Sequence, residues 1–308
     1  MEVNSLEKDS LLKEFIKSIS QESIRLDEPM KNHTSFKIGG PADVFISPRT
    51  IEEVRSAVGI CRKNKIPFYI MGNGSNLLVK DKGFRGVIIQ IYKNLSEVKI
   101  EENEVWAESG ILLSALSKKI MAKSLTGFEF ASGIPGTLGG AIYMNAGAYG
   151  GEIKQVFVSA DIMDEEGKIL TLSNEEMNLG YRSSILQKKE YIVLNAKLKF
   201  QKGNIEEIQE RINYLTEQRT TKQPLNIPSA GSTFKRPEGY YAGKLIMDAG
   251  LRGYSIGGAQ VSEKHCGFII NKENATAEDV LNLIKHIQNT IKEKFGVSMD
   301  TEVRVIGE

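Results

Sequence analysis

Residues 133–151 read GIPGTLGGAIYMNAGAYGG, with seven glycines in nineteen positions. Each glycine held in regular structure costs roughly 0.5–1 kcal/mol against alanine. A chain that concentrates that cost needs backbone freedom, or close backbone approach, at that place. A second glycine loop, GNGSN at 72–76, lies upstream. Such loops bring main-chain N–H groups against phosphate oxygens, because no Cβ intervenes. For any single Gly-x-Gly, a tight turn or close packing is the plainer explanation.

Two familiar glycine motifs do not fit. A Rossmann dinucleotide site needs G-x-G-x-x-G between a strand and a helix. Here the third position is Leu77, and LLV reads on as strand. No Walker A loop is present either. GYSIG at 253–257 matches G-x-S-x-G, but a nucleophile elbow needs a strand before its serine. The stretch before Ser255, AGKLIMDAG, reads as a helix capped by Gly250, and no spacing joins His265 or His286 to that serine.

The rest of the chain sets bounds. Its 308 residues suffice for two or three lobes and a large core. With 40 basic against 39 acidic residues it exerts no global pull on nucleic acid or membrane. Cys61 and Cys266 form no CxxC pattern, so neither a disulfide framework nor a thiolate metal site is expected. The first residues, MEVNSLEKDSLLKEF, are charged, and no run approaches ~18 apolar residues. A soluble, reducing, cytoplasmic setting is the expectation.

Periodicity gives an α+β class. An amphipathic helix is expected over 11–19, and another from Thr50, with Glu53 completing a capping box. Strands are expected at ADVFI, PFYIM, LLV, VIIQI and EVWAES, then a helix near 111–123. VFVSADIM and KILTL form a hairpin around DEEG, and YIVLNAKLKF reads as a strand with one apolar face. QKGN at 201–204 is the expected boundary, with Asn204 capping the next helix. A last helix starts at Thr276 with Asp279, carrying Val280, Leu283, Ile284, Ile287 and Ile291 on one face, and TEVRVI reads as a closing strand.

The segments NHTSFKIGGPA, GNGSNLLV and ASGIPGTLGGAIYMNAGAYGGE are followed in order by GYRSS, EQRTTKQP, AGSTFKRP, AGLRG, VSEKHCGFIIN and TEVR. Together they resemble the UDP-N-acetylenolpyruvoylglucosamine reductases, also called UDP-N-acetylmuramate dehydrogenases, from about residue 30 to the end. The resemblance implies a two-lobed FAD-binding domain of the vanillyl-alcohol-oxidase type over 1–202, with lobes of about 1–97 and 98–202. A substrate-binding domain follows over 203–308. It further implies that Gly72, Asn73, Gly74, Ser75, Asn76 and Leu77 hold FAD. From the second loop, Gly133, Ile134, Pro135, Gly136, Gly139, Gly140, Ala141, Asn145 and Gly147 join them. NADPH is the implied hydride donor, and the enolpyruvyl ether of UDP-N-acetylglucosamine the acceptor. The physical reading agrees, since no lysine or arginine occurs between 131 and 151 and neutral donors can hold a pyrophosphate.

By motif, Ser232 matches the family's proton donor, and Arg182 and Glu302 match the two residues flanking the enolate. A serine hydroxyl is a poor acid and can act only against a strongly basic enolate. Arginine suits a carboxylate whose charge is growing. Glu302 helps either as the protonated acid or by orienting a neighbour. Taken alone, a serine in a Gly-Ser-Thr turn bonds its own backbone, and Arg182 and Glu302 read as surface charges. Tyr181, Arg219, Lys222 and Arg304 are expected at the substrate, while His265 meets either substrate or a core hydrogen bond. His33 is expected to order a loop near the flavin and His286 to be solvated. The chain is the short form of the family, without the loop that closes a tyrosine over substrate. A monomer binding only small molecules is expected. The competing readings are a flavin oxidase of the same fold acting on an alcohol or sugar, and a non-catalytic nucleotide-binding protein.

Overall fold

A computed structural model describes residues 5–308. The charged N-terminal stretch read from the sequence falls partly on residues 1–4, outside the described residues. Lobe one starts with helix α1 (Ser5–Phe15). The helix expected over 11–19 stops at Phe15, where Ser18 and Ser20, poor in helix interiors, turn the chain. Ile19 is buried beyond that turn while Ile16 is left 42% exposed. Strands β1 (Ile24–Pro29), β2 (Pro41–Ile46), β3 (Phe68–Met71), β4 (Leu77–Val79) and β5 (Phe84–Gln90) follow. The main sheet runs β1-β2-β5-β3, with β2, β5 and β3 parallel. Helix α2 (Ile51–Lys63) covers it through Val54, Ala57, Val58 and Cys61. Thr50 caps α2 by accepting from the Glu53 N–H. The Glu53 carboxylate turns away from Thr50 to take the N–H of Arg49 at 2.6 Å and of Ser20 at 3.2 Å.

Lobe two is built on the sheet β12-β11-β13-β7-β6. Its strands are β6 (Val98–Glu101), β7 (Glu104–Glu108), β11 (Phe157–Met163), β12 (Ile169–Ser173) and β13 (Ile192–Lys199). The short pairs β8 (Leu125–Thr126) with β14 (Gln201–Lys202), and β9 (Gly147–Ala148) with β10 (Gly151–Glu152), complete it. β6 has only Val98 and Ile100 to mark it, too short an alternation to read. β13 was expected to bury one face. It lies between β11 and β7 and is buried on both faces from Ile192 to Ala196. Helices α3 (Leu113–Met121), α4 (Leu138–Met144) and α5 (Asn174–Met177) pack around this sheet.

QKGN is no free linker, since its first two residues form β14. Asn204 then caps α6 (Ile205–Lys222), accepting from Glu206 and Glu207 N–H at 2.8 and 3.2 Å. α6 leans on α3 and on residues 129–131 of lobe two, and its end meets lobe three, where Lys264 Nζ donates to the Thr220 carbonyl. Lobe three carries the sheet β15-β18-β17-β16, made of β15 (Ser229–Ser232), β16 (Ser255–Ile256), β17 (Ala259–Val261) and β18 (Phe268–Asn271). Helices α7 (Ala242–Asp248) and α8 (Ala277–Phe295) back it, with Val280, Leu283, Ile284, Ile287 and Ile291 all buried. The final strand, β19 (Arg304–Ile306), returns to lobe one and pairs in parallel with β4.

Candidate active site

The parallel strand β3 ends in GNGSN, and α4 begins just after GIPGT, so the two glycine loops face each other across the lobe junction. A Cβ on Gly72 would stand 2.3 Å from Thr137 Oγ1, and one on Gly136 would meet Ser75 Oγ at 3.5 Å. Between and beyond the loops runs a cleft of about 900 Å³, at the upper end of small-molecule sites. All of 72–77 line it, together with Ile134, Pro135, Gly136, Gly139, Gly140, Ala141 and Gly147.

The glycines divide by job. The Gly139 N–H donates to the Ser109 carbonyl at 2.7 Å, and a Cβ there would press on Ser109 Cβ at 3.0 Å. Gly139 therefore serves packing. At Gly140 an added Cβ would find only Thr137 Oγ1, at 3.6 Å. Gly136 and Gly140 thus border space that protein does not fill. Ser109 Oγ, buried on the same wall, has no hydrogen-bond partner. Open glycine edges, an orphaned hydroxyl and a cleft of this volume fit a large cofactor carrying a diphosphate.

Two expected loop contacts lie elsewhere. Gly133 packs against the stem of Arg219. Asn145, buried in the left-handed conformation at φ 42°, donates from Nδ2 to the Gly180 carbonyl and accepts at Oδ1 from the Lys154 N–H. It braces the turn at 180–183 and does not border the cleft.

That turn carries Arg182, itself at φ 51°. Arg182 Nε stands 2.7 Å from Glu302 Oε1, an ion-pair contact whose N–H is not aligned on the oxygen. Its Nη2 donates to the Gly147 carbonyl at 3.3 Å. Glu302 precedes β19, and its N–H donates to the Thr233 carbonyl at 2.8 Å, so Ser232 and Glu302 sit on adjoining backbones. Burial raises the Glu302 carboxyl above its ordinary value, against the lowering charges of Arg182 and Lys235. Arg304, two residues on, lies over the Tyr143 ring and donates to Gln187 Oε1. Burial pushes the nearby Tyr69 phenol up to about 12, with Tyr143 adding to the rise.

Arg219, in the last turn of α6, also lines the cleft. Burial lowers its pKa, and the Tyr149 phenol nearby opposes that; a guanidinium stays charged regardless. Three other expected contacts are not brought to the cleft. Tyr181 is 57% exposed and its hydroxyl accepts the Arg236 N–H at 3.0 Å. Lys222 is exposed and bonds Gln218 on its own helix, as residues four apart do. His265 Nδ1 accepts the Gly267 N–H at 3.1 Å, and burial lowers its pKa. His286 is half-buried and stacks on the exposed Tyr254, ring centroids 4.5 Å apart. Tyr69, Tyr143 and Gln187 were missed. Tyr143 sat inside the glycine segment with no partner to point at it, and the run ILQKK around Gln187 carries no motif.

Two α+β lobes clasping a glycine-walled cleft, with a third lobe bringing charged groups to it, fit the class of enzymes that hold a diphosphate-bearing cofactor. A family model of FAD-binding domains matches residues 42–173. The C-terminal domain of UDP-N-acetylenolpyruvoylglucosamine reductase matches residues 223–306. The chain is 58% identical over 303 residues to the UDP-N-acetylenolpyruvoylglucosamine reductase of Alkaliphilus metalliredigens (strain QYMF), covering 98% of this chain and 100% of that one. The same enzyme of Clostridioides difficile (strain 630) is 53% identical over 290 residues, 94% of this chain and 95% of the relative. The crystal structure of the Thermus caldophilus reductase superposes with a TM-score of 0.78 at 32% identity, over 92% of this chain and 98% of that chain. The chain belongs to the UDP-N-acetylenolpyruvoylglucosamine reductase family.

Proposed function

We propose that the chain is an NADPH-dependent flavoenzyme that reduces the enolpyruvyl ether of UDP-N-acetylglucosamine to UDP-N-acetylmuramate, acting as a cytoplasmic monomer. Residues 1–202 form its flavin part and 203–308 its substrate part. The observation that carries the reading is the meeting of Arg182, Glu302 and the Ser232 backbone at one end of the glycine-walled cleft. Among the described residues no helix is long and apolar enough to cross a membrane.

The 72–77 loop with Gly136 and Gly140 would hold FAD, which when bound would supply hydride chemistry at the cleft, with NADPH as the proposed donor. As hydride reaches the vinyl carbon, negative charge grows on the carboxylate side of the substrate. Arg182, permanently cationic, binds that carboxylate and is steadied by Glu302 and the Gly147 carbonyl. The raised pKa of Glu302 suits a carboxyl that shares a proton with the developing enolate. Ser232, exposed at the end of β15, gives its proton to the adjacent carbon, where the enolate is basic enough to take it. Arg219 binds the anionic diphosphate, and Arg304 holds the floor of the site. Tyr181, Lys222 and His265 leave the proposed contact set because none of them lines the cleft.

Anaerobic absorbance tests this directly. Flavin bands should bleach with NADPH and return when the enolpyruvyl sugar nucleotide is added. In Ser232→Ala the bleaching should persist while the return slows by about 10²-fold or more, the scale of a lost general acid. Bands that bleach but never return in the wild type would sink the substrate assignment.

A further inference from the structure

Gln187 ends a single 3-10 turn, Ile185–Gln187, and lines the cleft. Its Nε2 donates to the Tyr143 carbonyl and to the Arg182 carbonyl, each at 3.0 Å, while its Oε1 accepts from Arg304 Nη2. The amide's orientation is dictated by these partners. Two backbone carbonyls can only accept and a guanidinium can only donate, so the reversed amide would face like against like on every side.

The three bonds complete a circuit between lobes two and three. Arg182 pairs with Glu302; Glu302 and Arg304 are separated only by Val303 at the start of β19; Arg304 bonds Gln187; and Gln187 returns to the Arg182 carbonyl. Tyr143 anchors the circuit to the end of α4, its carbonyl also taking the Ser184 hydroxyl at 2.7 Å. Arg182 has particular need of such a brace, because its φ of 51° is unfavourable for a residue with a side chain.

We infer that Gln187 is a positioning residue, setting Arg182 against Glu302 for the reduction proposed above, on which this inference rests. No other side chain of that length meets all three demands. Glutamate would oppose its charge to two carbonyls, lysine offers Arg304 no acceptor, and methionine offers neither group. Misplacing a transition-state contact by an ångström can cost about 10²-fold in rate.

The test compares Gln187→Met with wild type in the two half-reactions, with flavin content and melting temperature followed alongside. Reduction by NADPH should stay within about threefold of wild type, while reoxidation by the enolpyruvyl sugar nucleotide slows by about tenfold or more. In steady state kcat should fall more than KM rises, a split that general loosening of the fold would not give. Where Gln187→Met fails to hold flavin, Gln187→Glu, which keeps the length and the acceptor for Arg304, makes the same comparison. Wild-type turnover with reoxidation unchanged in the variants overturns the inference alone. Wild-type flavin that the sugar nucleotide cannot reoxidise overturns the functional reading and this inference with it.

Discussion

Arg182 and Glu302 meet under opposed influences. The left-handed backbone of Arg182 costs about 1–3 kcal/mol, and the Glu302 carboxyl is taken out of water. Burial raises the Glu302 pKa more than Arg182 and Lys235 lower it. A carboxyl raised in the folded state adds stability that is complete below its ordinary value of 4.5 and is lost as pH rises through the raised value. Glu302→Gln is neutral at every pH and lacks that loss. The stability of wild type relative to Glu302→Gln should therefore fall as pH climbs from 4.5, measured by urea unfolding of the two proteins across that range. A difference that stays flat or grows with pH would mean that the ion pair with Arg182 outweighs burial.

Helix α8 shows how an element of lobe three is locked to lobe one. The first N–H groups of a helix lack internal partners, and here each is met. Thr276 Oγ1 accepts from Asp279, whose carboxylate returns to the Thr276 N–H. The N–H groups of Ala277 and Glu278 donate to Asp81 at 2.8 and 3.0 Å, across 196 and 197 residues of chain. Asp81→Ala leaves two donors without their charged acceptor and should cost about 1–2 kcal/mol, read as a lower urea midpoint at unchanged slope. Asp81→Asn, keeping one acceptor oxygen, should lose less. The capping box and apolar stripe of α8 were legible because both lie within a few turns of sequence. Asp81 was not, since nothing local marks a carboxylate aimed at a distant helix. The same limit hid the central place of β13, whose second buried face depends on neighbours contributed by other segments. It also hid Gln187, whose partners lie at 143, 182 and 304.

Across the whole molecule, lobe three is tied to lobe one by a paired strand and by side-chain-to-backbone bonds, and to lobe two largely by side chains. β19 joins β4 in register, Ser35 Oγ donates to the Ser229 carbonyl and Asn271 Nδ2 to the Phe36 carbonyl. Toward lobe two stand Arg182 with Glu302, Arg304 with Gln187 and Arg236 with Tyr181, and toward α6 Lys264 with Thr220. The cleft runs between these attachments, and its glycines were legible in the sequence as a class but not one by one, because whether a missing Cβ serves packing or a ligand depends on the opposite wall. That distinction gives the last prediction. Gly140→Ala places its methyl in ordinary contact with Thr137 Oγ1 at 3.6 Å, and alanine is the better helix residue by about 0.8–1 kcal/mol. The flavin-free variant should therefore melt no lower than flavin-free wild type, while binding FAD about tenfold or more weakly because the methyl enters the cleft. Gly72→Ala would drive its Cβ to 2.3 Å from Thr137 Oγ1, so its flavin-free form should already melt lower. Thermal melts of the flavin-free proteins, paired with FAD titrations, separate the two. A Gly140→Ala protein that binds FAD as tightly as wild type would mean that the cofactor does not pass over the first turn of α4, and the phosphate path would have to be drawn along 72–77 and Gly136.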